Sequence, residues 1–280
     1  MRNILLPFYD DDVSHRAFAV CTELVRRTNG HLEGLFALRR PQIMEGDSEM
    51  IVEAHYRQLD DECRRVAVEA RERFDACAAE HGLSAATAGE SGRATAAWRE
   101  IDGMEEHVVG SHGRLFDLIV IGRQFGRPWL NWRVITESAL FESGRPVMVT
   151  PEKAAPTIGE NVVIAWNPST ETARTIAVSM PLLTHARSVT VLSIEGWGVP
   201  GPGGEELAAY LTRAGVAATA RSVALGGRSA GERILDECTR TGADLLIKGA
   251  YTQSRLRQMI FGGATRHVLA HAQLPVVLAA

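Results

Sequence analysis

The chain repeats itself, and a duplication restricts the possible architectures more than any composition figure does. The opening apolar run Ile4-Leu5-Leu6-Pro7-Phe8-Tyr9 has a counterpart in Val162-Val163-Ile164-Ala165-Trp166-Asn167. Each run is followed by a short polar turn and a helical pattern. In the first copy Ala17, Val20, Cys21, Leu24, Val25 and Thr28 mark one helix face, closed by Asn29-Gly30. In the second, Ala173, Ile176, Ala177, Met180 and Leu183 do so, and Pro181 is expected to kink or shorten the helix. Second strands are expected at Leu32–Leu38 and Val189–Ile194. The ends match as well: Asp117–Gly122 mirrors Asp244–Gly249, and Pro146–Val149 mirrors Pro275–Leu278.

Short, nearly continuous apolar strands alternating with helices are the pattern of a parallel sheet covered on both faces. Right-handed crossovers then give an α/β fold of two tandem doubly wound parallel-sheet sandwiches. At 280 residues the chain suits two domains of roughly 150 residues each. The domains are expected at 1–153 and 157–280, joined by the short linker between Pro151 and Pro156. The first half is the longer. Its excess, Pro41–His81, reads as one long amphipathic helix with Val52, Tyr56, Leu59, Cys63, Val66 and Ala70 on a face. The second half has instead a glycine-rich loop, Gly196–Gly204, and a short helix through Leu207 and Leu211.

Composition narrows the function classes. A 45% hydrophobic and 23% charged content is that of a soluble globular protein. The net charge of −4 offers no basic excess for nucleic acid, and no apolar run approaches the roughly 18 residues that span a bilayer. The start MRNILLPFYDDD reaches acidic residues too soon for a signal-peptide core, so a cytoplasmic location is expected. Cys21, Cys63, Cys77 and Cys238 are scattered and read as reduced, mostly buried small hydrophobes.

In open α/β sheets, ligands bind beyond the carboxyl ends of the strands, near the switch in strand order. Two segments of the second half qualify: Ala165-Trp166-Asn167, and Gly249–Thr265 with the helix that starts near Thr265. Glycines and a helix N-terminus suit an anion there, and they suit an ordinary turn and N-cap equally well.

The duplicated pattern resembles a tandem universal stress protein, of the adenine nucleotide α-hydrolase-like architecture, over nearly the whole chain. Nucleotide-binding members of that family carry G-x2-G-x9-G-[S/T] after the fourth strand and an Asp ending the first. Here Gly249, Thr252, Gly262 and Gly263 keep the frame, and Asn167 stands at the Asp position. The resemblance implies that Ala165, Trp166, Asn167 and Ile194 border an adenosine. It implies that Lys248, Gly249, Tyr251 and Thr252 lead toward the phosphates, and that Gly262, Gly263, Ala264 and Thr265 cradle them. Three identities depart from the pattern: Thr252 adds a side chain, Gly263 loses a hydroxyl that Thr265 could restore nearby, and Asn167 replaces an acid.

The first half departs further. Tyr9 holds the Asp position, the spacing from Gly122 to Gly126 is stretched, and Pro128, Trp129 and Trp132 replace a Gly-Ser cradle. Those aromatics suit packing against a neighbouring domain or subunit, so this half is expected not to bind nucleotide.

Other signals have simpler explanations. Gly227-Arg228-Ser229-Ala230-Gly231 matches a G-x-S-x-G nucleophile elbow, but Ser229 and Glu232 also make a capping box for the following helix. His267 and His271 share a helix face without a third metal ligand. Asp10-Asp11-Asp12 reads as an N-cap opposing the helix dipole rather than a magnesium site. Arg255 and Arg257 either neutralise a triphosphate or lie solvated on the surface.

What the resemblance implies is a non-catalytic stress-response sensor. Its C-terminal domain would bind ATP or a related adenine nucleotide, with Mg2+ as an accompanying ion, and no residue is singled out as catalytic. Slow ATP hydrolysis is compatible with it. The alternative is a nucleotide-independent docking protein that uses the Trp129/Trp132 surface. An intramolecular pseudo-dimer of the two halves and a homodimer of chains are both expected, with neither nucleic acid nor membrane as partner.

Overall fold

The computed structural model describes residues 1–39, 49–85, 92–123, 130–152, 157–250 and 263–280, with the backbone alone for 49–57. Contacts divide the chain into two units, Met1–Ser143 and Gly144–Ala280.

Unit 1 runs β1 (Asn3–Pro7), α1 (Asp12–Thr28), β2 (His31–Leu38), α2 (Glu49–Glu80), β3 (Ser84–Ala85), β4 (Thr95–Asp102), α3 (Glu105–His112), β5 (Leu118–Gly122) and α4 (Trp132–Glu142). Its strands lie in the order β3-β4-β2-β1-β5, and the pairs are parallel. Successive residues Ile4, Leu5 and Leu6 are all fully buried although a strand points them to alternate faces, so both sides of the sheet are covered. The α1 face read from the sequence is buried at Ala17, Val20, Cys21, Leu24 and Val25, and Asn29 closes the helix in the left-handed conformation. Asp11 is the N-cap, accepting from the Ser14 N–H at 2.7 Å, which accounts for the acidic turn.

The long helix exists, but its buried stripe differs from the expected one. Val66, Ala67, Ala70, Phe74 and Ala78 are buried, whereas Leu59 is 42% exposed and Cys63 is half-buried. Phe74 docks over Gly34 of β2, where a Cβ would lie 2.3 Å from the ring. That contact seats α2 in an aromatic cluster with Phe8, Phe18 and Trp98.

Unit 2 runs β6 (Val147–Thr150), β7 (Asn161–Trp166), α5 (Thr170–Leu183), β8 (Ser188–Ile194), α6 (Gly204–Arg213), β9 (Ala218–Val223), α7 (Ala230–Thr241), β10 (Leu245–Gly249), α8 (Gly263–His271) and β11 (Val276–Ala279). The order is β6-β11-β10-β7-β8-β9, parallel except for the antiparallel β6–β11 pair. The chain steps from β7 outward to β8 and β9, then returns to place β10 on the other side of β7. The switch in strand order therefore lies between β7 and β10.

Helix α5 runs through Pro181 and ends two residues later, at Leu183. Its buried stripe corrects the expected one. Ala173 and Ala177 face solvent, and Thr172, Thr175, Ile176, Ser179, Leu182 and Leu183 face inward. The two threonine hydroxyls are tolerated there because they are hydrogen-bonded, Thr172 to Asn167 Oδ1, whereas Ser179 Oγ is buried with no partner among the described residues. Thr175 Oγ1 donates to Glu171 O at 2.7 Å and accepts from the Ala279 N–H at 3.2 Å.

The cysteines are free; Cys21 and Cys238 are buried. Burial pushes the Cys238 thiol up to about 12. Among the described residues no helix is long and apolar enough to cross a membrane.

Candidate functional site

The β7/β10 switch point brings the two sequence-derived segments together. Lys248 of β10 pairs in register with Ala165 of β7 on one side and with Leu278 of β11 on the other. Asn167 leaves β7 next to the end of β10. It is 2% exposed and turned inward. Its Oδ1 accepts from Ser169 Oγ at 3.0 Å and from Thr172 Oγ1 at 2.5 Å, while Ser169 N-caps α5. Asn167 therefore organises the start of α5. Gly249 meets the same turn from below: a Cβ there would lie 2.5 Å from Thr172 Oγ1 and 2.6 Å from its backbone nitrogen.

The glycine-rich loop after β8 folds back toward the same strand ends. Val199 donates its N–H to Asn167 O at 3.2 Å, and Trp166 Nε1 donates to Pro202 O at 2.9 Å. Trp197 bridges back to Ile194, its N–H donating to the Ile194 carbonyl at 3.1 Å. Between this loop and strands β8 and β9 lies a cavity of about 550 Å³, lined by Trp166, Ile194, Trp197, Val199, Gly204 and Ser222 among others. That volume is in the range of small-molecule pockets, which are mostly apolar with a few placed polar groups.

Lys248 is the most unusual group at the site. Although 3% exposed, it carries an amine into the sheet interior. Its Nζ donates to Thr265 Oγ1 at 2.7 Å and to Gly249 O at 2.9 Å, and it lies 5.8 Å from the centre of the Trp197 ring. Burial lowers its pKa to about 8. Thr265 is buried too, and its hydroxyl donates to Ala250 O at 3.0 Å while accepting from Lys248. That hydroxyl therefore holds the lysine. Gly263 opens α8 at an exposed position with open space where a Cβ would be, and Ala264 follows it, half-buried. The first N–H groups of a helix have no intrahelical partner, and its N-terminal end carries a partial positive charge.

Of the residues singled out in the sequence, Trp166 and Ile194 line the cavity; Asn167 and Gly249 meet at Thr172, Lys248 pairs with Ala165 and bonds Thr265, and Gly263 and Ala264 open α8. Tyr251, Thr252 and Gly262 lie outside the described residues, as do Arg255, Arg257 and Trp129. Trp197 was not among the site residues read from the sequence; its signal was an indole inside a glycine-rich loop directly after the second strand.

The equivalent crevice of unit 1 is built differently. Tyr9 leaves β1 2% exposed, its ring 5.4 Å from that of Phe36. Burial, then the carboxylates of Glu105 and Asp11, raises its phenol well above 10. Glu105, itself pushed up by burial, pairs with Arg39 at 3.1 Å. Trp132 is not a surface aromatic. It is 6% exposed at the first turn of α4, with the Arg133 guanidinium 5.2 Å over its ring. This removes Trp132 from the expected docking surface.

Ser229 is a cap. Its hydroxyl accepts from the Glu232 N–H, and the Glu232 carboxylate accepts from the Ser229 N–H at 2.8 Å. The rings of His267 and His271 stack 4.3 Å apart, with His271 Nδ1 2.9 Å from the His267 carbonyl oxygen. Among the described residues no group of three or more metal-ligating side chains is assembled.

Residues 185–279 match the model of the universal stress protein family. The match spans β8 to β11 and so takes in Lys248 and the start of α8. No curated protein matches the chain. Among solved structures, a universal stress protein from Archaeoglobus fulgidus DSM 4304 is 13% identical with a TM-score of 0.67, covering 99% of this chain and 95% of its own. A functionally unknown protein from Pseudomonas aeruginosa PAO1 is 13% identical with a TM-score of 0.56, covering 100% of this chain and 92% of its own. At such identities the likeness is one of fold, and the universal stress protein fold spans the whole chain.

Proposed function

We propose that the protein is a universal stress protein whose second unit binds ATP or a related adenine nucleotide and acts through conformation, without catalysis. The observation that carries this reading is the cavity between the glycine-rich loop and strands β8 and β9, with Trp166 of β7 on its wall. Trp166 and Ile194 supply apolar surface for a base there, within the part of the chain that includes the family match. The open start of α8 at Gly263 suits phosphate oxygens, which free helix N–H groups bind well. The residues present fit the ligand in size and polarity. Because no metal-ligating cluster is present among the described residues, a Mg2+ ion would be carried by the phosphates. When bound, the nucleotide supplies negative charge to the α8 end and shifts the population toward the ordered crevice. Unit 1, with Tyr9 buried at the matching place, acts as a partner without nucleotide. A cytoplasmic location fits this role.

The inward turn of Asn167 Oδ1 favours one rival, a nucleotide-independent interaction protein. Denaturing the purified protein and identifying released molecules by mass spectrometry separates the two. One adenine nucleotide per chain is expected, abolished by Gly262→Asp. Two per chain would overturn the assignment of unit 1. None, together with no heat on adding ATP, would overturn the nucleotide reading.

A further inference from the structure

Lys248 is a buried cation with no anionic partner among the described residues. Of its three N–H donors, one goes to a neutral carbonyl and one to a neutral hydroxyl, and the third has no acceptor among the described residues. Its strand neighbours, Ala165 and Leu278, are apolar. The connecting sequence Tyr251–Gly262 contains no Asp or Glu and adds Arg255 and Arg257. Through Thr265, in the first turn of α8, the ammonium is also held against the positive end of a nine-residue helix. Two like charges meet out of water, an arrangement that an anion relieves.

We propose that Lys248 is the charge-selecting residue of the second unit, completed by an anionic oxygen of the ligand, so that the site takes a phosphorylated ligand in preference to the neutral nucleoside. This rests on the adenine-nucleotide reading for the rest of the ligand, while the role of Lys248 stands on its own surroundings. A merely structural lysine would hold Thr265 equally well whichever ligand was added.

The test is calorimetry on the full chain with ATP and with adenosine, for the parent and for Lys248→Met, which is unbranched, one atom shorter and uncharged. The parent is expected to bind ATP about tenfold or more tighter than adenosine, since a charge-assisted bond is lost with the phosphates. In Lys248→Met that preference is expected to fall to within about threefold. An undiminished preference in Lys248→Met would overturn the proposal. If neither compound binds the parent, the nucleotide reading has failed and inorganic tripolyphosphate decides the lysine. A rise in melting temperature in the parent that is absent in the variant supports the proposal, and no rise in the parent overturns it. Should Lys248→Met fail to fold, Lys248→Gln retains a hydrogen-bonding end for Thr265 and is read in the same way.

Discussion

The amine of Lys248 enters a sheet where Ala165 and Leu278 flank it and Trp197 covers it, so its protonation and the stability of the protein are linked. Burial lowers the folded pKa to about 8 from 10.5. Between those values the unfolded chain holds a proton that the folded one has released, so this residue's contribution to stability rises with pH through that window. Below pH 8 the full cost is present, on the order of 3 kcal/mol from the size of the shift. In urea unfolding, Lys248→Met is therefore expected to be more stable than the parent at pH 7, with the gap closing toward pH 10.5. A gap that stays constant would show that burial does not neutralise the lysine. Cysteines and Tyr9 titrate in both proteins and cancel in the comparison. At Ser229 the expectation is simpler. Ser229→Ala is expected to lower stability by about 1 kcal/mol and to leave esterase activity at background, as for the loss of an N-cap. That role was legible in the sequence because capping acts over three residues. The inward turn of Asn167 was not, because its partners are chosen by how α5 lands on the sheet.

Among the elements, α2 and α5 were legible as helices and only partly legible as faces. A helix of 32 residues is about 48 Å long, whereas the eight-residue strands beneath it span about 26 Å. The repeat of apolar residues continues past the sheet's reach, so Leu59 is exposed while Val66, Ala67, Ala70, Phe74 and Ala78 are buried. In α5 half of the buried stripe is written in Thr and Ser, which an apolar pattern overlooks; the acceptors that suit Thr172 and Thr175 to a core depend on how the helix lands on the sheet. The docking of α2 depends on the missing side chain of Gly34. Gly34→Ala is expected to cost roughly 1–3 kcal/mol by overpacking against Phe74. Adding Phe74→Leu should recover part of that loss, a coupling that a double-mutant cycle measures. Strictly additive losses would mean that α2 shifts away instead of clashing.

For the molecule as a whole, the alternation of strands and helices was the most legible feature, because short apolar runs are what build a parallel sheet covered on both faces. The divergence of the two crevices was legible in part. Tyr9 against Asn167 could be read from a line of sequence, whereas the burial of Trp132 depends on the packing of α4. The five tryptophans follow the same division: Trp98, Trp129 and Trp132 precede residue 143, and Trp166 and Trp197 stand at the second crevice. An indole 5.8 Å from an amine that changes charge near neutrality is a natural optical gauge. The emission of Trp197 should shift as Lys248 gives up its proton, and Trp197→Phe should remove that change from the spectrum. The protein thus carries its own unlabelled probe of the charge on buried Lys248.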